Sequence, residues 1–199
     1  MIYNDGKAGF LTVITGPMFS EKSGELIKQC LLSEKYQNKQ VKIYKPAIDN
    51  RYGAHEVVSR IGLRMAAENI CQTITPELQE MILRDCAQAD LVAFDEAQFF
   101  SDALLEVVLE LVRRKKHVLC AGLNLDYLGR PFGCIGTLML YADEVQVKHA
   151  YCKCCGRPAM HTQRVIDGKE VTASTAGALV LIGDQESYEA RCRLCFVQD

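Results

Sequence analysis

Residues 10–15, Phe-Leu-Thr-Val-Ile-Thr, are an apolar, β-branched run. They lead directly into Gly16-Pro-Met-Phe-Ser-Glu-Lys22-Ser23. From Lys22 onward the pattern changes, with Leu26, Ile27, Cys30 and Leu31 recurring on one helical face. A buried strand, a glycine-initiated loop and a helix opening on Lys-Ser form a phosphate cradle. Backbone N–H groups wrap an anion at a helix N-terminus, where the helix dipole favours negative charge. In that reading Lys22 reaches the β- and γ-phosphates and Ser23 holds Mg²⁺, with residues Gly16, Pro17, Met18, Phe19, Ser20 and Glu21 forming the loop. One position departs from the motif. The residue before Lys22, ordinarily glycine, is Glu21. Its Cβ and carboxylate are expected to weaken nucleotide binding unless the side chain points to solvent.

A second acidic motif supports the first. Leu91-Val-Ala-Phe-Asp95-Glu96 is an apolar strand ending in two acids. Asp95 then assists the Mg²⁺ shell and Glu96 is placed to act on a nucleophile. The remaining periodicity predicts strands over 41–45 and 118–122 and around Val145 and Val147, with a hairpin near Val57–Ser59. It predicts one helix after Thr75-Pro76, with Leu78, Met81, Ile82 and Cys86 on its apolar face, and another over 102–115. Strands alternating with helices imply an α/β fold, with a mainly parallel sheet covered by helices on both faces. The rhythm stops near residue 150, which suggests domains at 1–150 and 151–199.

The second segment is defined by cysteines. Of ten in the 199-residue chain, Cys30, Cys71, Cys86, Cys120 and Cys134 lie in or beside apolar stretches and read as small core residues. Cys152/Cys155 and Cys192/Cys195 form two CxxC pairs, a four-thiolate structural zinc signature with no open position for catalysis. Cys154 is a competing ligand, though the spacing favours Cys155. His161 reads as a packing residue. The 36 residues between the pairs require a long excursion clamped at both ends by the metal.

The formal net charge of −2 and the lack of an Arg/Lys-aromatic stripe argue against a nucleic-acid module. No apolar run reaches membrane-spanning length, and the first ten residues lack a signal-peptide core. A cytoplasmic protein without a membrane partner is therefore expected.

In order along the chain stand GPMFSEKSGEL, KPAIDNRY, SRIG, AFDEAQFF, GLNLDYLGRPFG, YADE, CKCCGRPAMHTQR and ESYEARCRLC. Together they resemble the type II thymidine kinases, from Gly9 nearly to the end of the chain. The resemblance implies a RecA-like P-loop NTPase domain and a small C-terminal zinc-binding lasso domain. It implies transfer of the ATP γ-phosphoryl group to the 5′-hydroxyl of thymidine, with deoxyuridine a poorer substrate. Glu96 becomes the general base. Asp49 and Arg51 reach the phosphoryl-transfer site. Met18, Phe99, Leu123, Tyr127 and Phe132 wall the thymine pocket, and Tyr188 closes it. A lasso over residues 172–184 reads the base. The implied cofactors are ATP, Mg²⁺ and structural Zn²⁺, and the implied assembly is a homotetramer under feedback inhibition. The chain departs from the family pattern at Glu21, at Asn124 in place of Asp, and at Asp184 in place of a lasso Gly. The competing reading is a catalytically weakened P-loop and zinc-ribbon protein that binds nucleotide or nucleic acid.

Overall fold

A computed structural model describes residues 8–47, 55–175 and 188–199. Asp49, Arg51, Asp184 and most of the expected lasso lie outside the described residues. The elements begin with β1 (Phe10–Gly16), α1 (Lys22–Gln37), β2 (Val41–Pro46), β3 (Glu56–Val58), β4 (Arg64–Ala66) and β5 (Glu68–Ile70). Then come α2 (Pro76–Asp85), β6 (Leu91–Phe94), α3 (Leu104–Arg113), β7 (His117–Leu123), α4 (Ile135–Tyr141) and β8 (Glu144–Val147).

Six of these strands form one sheet in the order β5-β2-β6-β7-β1-β8, and every pairing in it is parallel. Alternate residues go to opposite faces, as the pleat requires. Leu11 and Val13 of β1, Val92 and Phe94 of β6, and Val118 and Cys120 of β7 enter a core with Ile82 of α2, Val107 and Leu111 of α3, and Leu138 of α4. Their neighbours Ile14, Leu91, Ala93, Leu119 and Ala121 face the other way, against Leu26, Ile27 and Cys30 of α1. Helices thus cover both faces.

Local chemistry explains where the helices start and stop. The Thr75 hydroxyl caps α2 by accepting a bond from the Leu78 amide, and Pro76 occupies the first helical position, where no donor is lost. Leu104, Val107, Val108 and Leu111 of α3 are fully buried at helical spacing, each contributing roughly 1.5–3 kcal/mol before ordering costs. The basic run that ends α3 is exposed at Arg113.

Two expectations need correction. Met81 is exposed; Ile82 and Cys86 carry the buried stripe of α2, with Leu78 and Leu83 packed beside them. Cys71 is exposed, whereas Cys30, Cys86, Cys120 and Cys134 are buried as small core residues. Desolvation raises the thiols of those four, Cys134 to about 11, and keeps them protonated. The strand expected around Val145 and Val147 is β8, the sheet's edge strand, on which both valines are exposed.

Beyond β8 the pairing becomes antiparallel. β9 (Ala150–Tyr151) pairs with β10 (Pro158–Ala159). β11 (His161–Ile166) pairs with β12 (Lys169–Glu170) and with β13 (Tyr188–Arg191).

At the lower end of the sheet His117 shares a 3.1 Å hydrogen bond with the Thr12 hydroxyl and meets Phe10 edge-on. Burial lowers the imidazole to about 4, Lys39 adds repulsion, and Glu144 and Asp143 oppose the shift. The unfolded chain takes up this proton near 6.5 and the folded chain only near 4, so stability falls as pH drops through that window. His117→Gln should lose less thermal stability than the parent between pH 7 and pH 4.5. Parallel melting curves check this, and equal losses would clear His117 of the effect.

A phosphate loop, an acidic strand end and a four-thiolate cluster

The phosphate loop begins at Gly16, whose φ is +149°. A Cβ there would stand 2.2 Å from the Lys148 carbonyl oxygen, so only glycine lets the chain leaving β8 cross this close. The Ser20 hydroxyl donates to the Pro17 carbonyl at 2.8 Å, and the Lys22 ammonium donates to the same oxygen at 2.6 Å. Lys22 therefore folds back over its own loop. Desolvation lowers its pKa to about 8, against the raising influence of Glu96 and Asp95.

Asp95 and Glu96 follow the end of β6. β7 lies between β6 and β1, yet the Ser23 hydroxyl donates to Asp95 Oδ1 at 3.0 Å. That bond joins the start of α1 to the acidic strand end. Asp95 is 5% exposed, and burial followed by repulsion from Glu96 raises its carboxyl to about 7. A hydroxyl beside a buried carboxylate is a set of hard oxygen donors and fits Mg²⁺, whose charge would favour the ionised acid.

Glu96 has a left-handed backbone, with φ 49°. Its carboxylate accepts a 2.6 Å bond from Gln98 Nε2. Gln98 is buried, and its own carbonyl accepts from the Leu123 amide at 3.0 Å. One amide side chain thus orients Glu96 and ties it to the end of β7. Sequence reasoning passed over Gln98, although a polar residue inside the run AFDEAQFF was its signal.

The expected pocket residues are partly assembled. Phe99 meets Phe132 edge-on, with ring centroids 5.5 Å apart. Leu123 ends β7 beside them, half-buried. Phe132 is held by the loop 124–132. Asp126 Oδ1 accepts from the Leu128 and Arg130 amides, and Gly133 (φ +56°) passes so close to Gln98 that a Cβ would stand 2.3 Å from its carbonyl oxygen. Tyr127 is buried beneath the Arg164 guanidinium, 5.2 Å from the ring centroid. Tyr188 opens β13, paired with Arg164. Asn124 donates from Nδ2 to the Met160 carbonyl at 3.5 Å, a bond an Asp carboxylate could not make.

Glu21 stands at the junction of the loop and α1. It is the left-handed residue that caps α1, with φ 57°, a conformation costing roughly 1–2 kcal/mol for a residue with a Cβ. Its side chain does not point to solvent. Oε2 is buried without a hydrogen-bond partner, 2.7 Å from where a Cβ on Gly24 would stand.

The sulfur atoms of Cys152, Cys155, Cys192 and Cys195 lie within 4.8 Å of one another. The Cys155–Cys192 and Cys155–Cys195 separations are 3.6 and 3.7 Å. Four thiolates at about 2.3 Å from a tetrahedral zinc are about 3.8 Å apart, so the set fits that ion. Cys154 is exposed and outside the cluster. His161 stacks on Phe196 with centroids 4.5 Å apart, as a packing residue.

The cluster is joined to the phosphate loop in two ways. Phe19 packs against Ala150, Cys152, Ala159, Ala190 and Cys192, and the Met18 amide donates to the Thr162 hydroxyl at 3.0 Å. No helix among the described residues is long and apolar enough to cross a membrane. In comparison with known protein families, the model described as thymidine kinase matches residues 9–196.

Proposed function

The chain belongs to the thymidine kinase family, and on that premise we propose that it transfers the γ-phosphoryl group of ATP to the 5′-hydroxyl of thymidine. The observation that carries this reading is the Ser23–Asp95 bond, which brings the phosphate loop and the acidic strand end together with Glu96 next in the chain. Lys22 exchanges its contact with the Pro17 carbonyl for the transferring phosphates. Ser23 and Asp95 would hold Mg²⁺, which would neutralise charge on the phosphate oxygens. Glu96, aimed by Gln98, orients the thymidine hydroxyl and accepts its proton. Asp49 and Arg51 act at the same centre. Met18, Phe99, Leu123, Tyr127, Phe132 and Tyr188 form the base pocket. A 5-methyl contact is worth only ~1–3 kcal/mol, so deoxyuridine is accepted as a poorer substrate.

Residues 151–199 act as a zinc-held lasso domain beside a kinase domain over residues 1–150. Exposed Leu140 and Tyr141 at the end of α4, with Val145 and Val147 on β8, support an assembly of several copies, a homotetramer in this reading. We place the activity in the cytoplasm. Incubating the zinc-loaded protein with Mg·ATP and thymidine should yield thymidine 5′-monophosphate and ADP in equal amounts. No product from folded protein would overturn the reading.

A second reading, a nucleotide-binding protein with weakened turnover, is favoured by Glu21 alone. Its left-handed backbone and unpartnered carboxylate oxygen are both costs that glycine would remove. Glu21→Gly should lower the KM for ATP several-fold and leave the KM for thymidine nearly unchanged. Equal ATP parameters in the two proteins would show that the loop tolerates Glu21 without loss.

A further inference from the structure

The Ser-Arg-Ile-Gly turn, residues 59–62, has no role in the chemistry described so far. It joins β3 to β4 and is tightly made. The Gly62 amide donates to the Ser59 carbonyl at 3.0 Å, the Leu63 amide donates to the Ser59 hydroxyl at 3.0 Å, and the Ser59 amide donates to the Leu63 carbonyl at 2.8 Å. Gly62 supplies the left-handed φ of +88° that the turn requires.

The base of this hairpin is anchored. Val57 is buried with Leu26 and Ile27 of α1, and Leu63 and Met65 pack beside it. The tip rests on the first turn of α1, where the Ser59 Cβ lies 3.4 Å from where a Cβ on Gly24 would stand. This seating puts the Arg60 guanidinium 3.9 Å from the centroid of the Phe19 ring, within the phosphate loop.

From this we infer that Arg60 is a nucleotide-binding residue, a second cation that the hairpin brings to the polyphosphate beside Lys22. The inference rests on the proposed kinase reading. A triphosphate held by the loop would attract both cations. Stacking on Phe19 fixes the guanidinium plane and keeps its donors pre-oriented, which reduces the entropy lost when they meet phosphate oxygens. Arginine suits this task better than lysine because its planar fork matches two phosphate oxygens at once.

The test is direct titration of Mg·ATP into the full chain, wild type and variant, alongside thymidine turnover. Arg60→Gln keeps a planar amide over Phe19 and removes the charge; Arg60→Lys keeps the charge and loses the fork. Arg60→Gln should bind Mg·ATP about tenfold more weakly, with an unchanged melting temperature and an unchanged thymidine KM. Arg60→Lys should recover part of the loss, and added salt should weaken the wild type more than Arg60→Gln. Equal Mg·ATP affinities for wild type and Arg60→Gln, or a rise in the thymidine KM alone, would overturn the inference. Titration requires no turnover, so a wild type that binds Mg·ATP but makes no thymidine monophosphate would count against the kinase reading, and the ratio of affinities would still decide the role of Arg60.

Discussion

Glu96→Gln is expected to lower kcat by on the order of 10²–10⁴, the usual contribution of a positioned general base, while the fold and most of the thymidine affinity persist. The substitution is nearly isosteric, and the backbone at Glu96 is already left-handed, so both proteins bear the same local strain. The amide oxygen of Gln can still accept the bond from Gln98 Nε2 that now holds the carboxylate at 2.6 Å. Proton acceptance is what disappears, because a neutral amide is a far weaker base than a carboxylate. Asp95→Asn should behave differently. It removes a buried charge that accepts from Ser23, and its effect should appear as a changed dependence on Mg²⁺ concentration. Single-turnover kinetics with saturating ATP distinguishes the two. Normal turnover by Glu96→Gln would remove Glu96 from the role of base.

Loss of the metal should be the largest structural effect. Cys192→Ser leaves three thiolates of a set that fits tetrahedral zinc, and binding of a structural zinc is typically worth roughly 10–16 kcal/mol. The small antiparallel sheets have little core of their own: Ala150, Cys152, Ala159, Ala190 and Cys192, with Phe19 and Cys195 packed against them. Without the metal that segment should open, while the parallel sheet keeps its two independent cores. The opening should reach the nucleotide site through the Met18–Thr162 bond and the Phe19 contact. Thymidine binding should weaken more than ATP binding, because the expected lasso leaves from this segment. Metal analysis should give one zinc per parent chain and a large loss in Cys192→Ser. Cys154→Ser, at an exposed position outside the cluster, should retain the zinc. A folded, unoxidised parent without zinc would refute this assignment.

Much of this architecture is written in local chemistry. The runs FLTVIT and LVAF are apolar or β-branched at every position, without polar alternation, because a parallel sheet is buried on both faces, and that signature needs no tertiary information. The two CxxC pairs are equally local, since each is a turn that presents two thiolates to one ion. Other elements carried too little signal. β5 has three residues and only Ile70 is buried, so it is a strand because β2 offers an unpaired edge, not because Glu68 and Asn69 favour one. Met81 was misplaced because helical spacing defines a stripe but not its width; the neighbouring Ile82 and Leu83 face the core instead.

The chemical inventory follows from local sequence alone: a cradle at Gly16–Ser23, two acids after β6 and four thiolates in two pairs. Each depends on residues a few positions apart, whose geometry the backbone dictates. How these parts meet depends on long-range packing. Insertion of β7 between β6 and β1 still leaves Ser23 within hydrogen-bond reach of Asp95. Packing excluded Cys154 from the cluster, turned Glu21 inward against Gly24, and gave Glu96 an orienting partner in Gln98. Contacts between positions 72 or 144 residues apart, such as Ser23–Asp95 and Met18–Thr162, leave no periodic trace in a single chain, because they follow from which faces and ends the folded layers bring together.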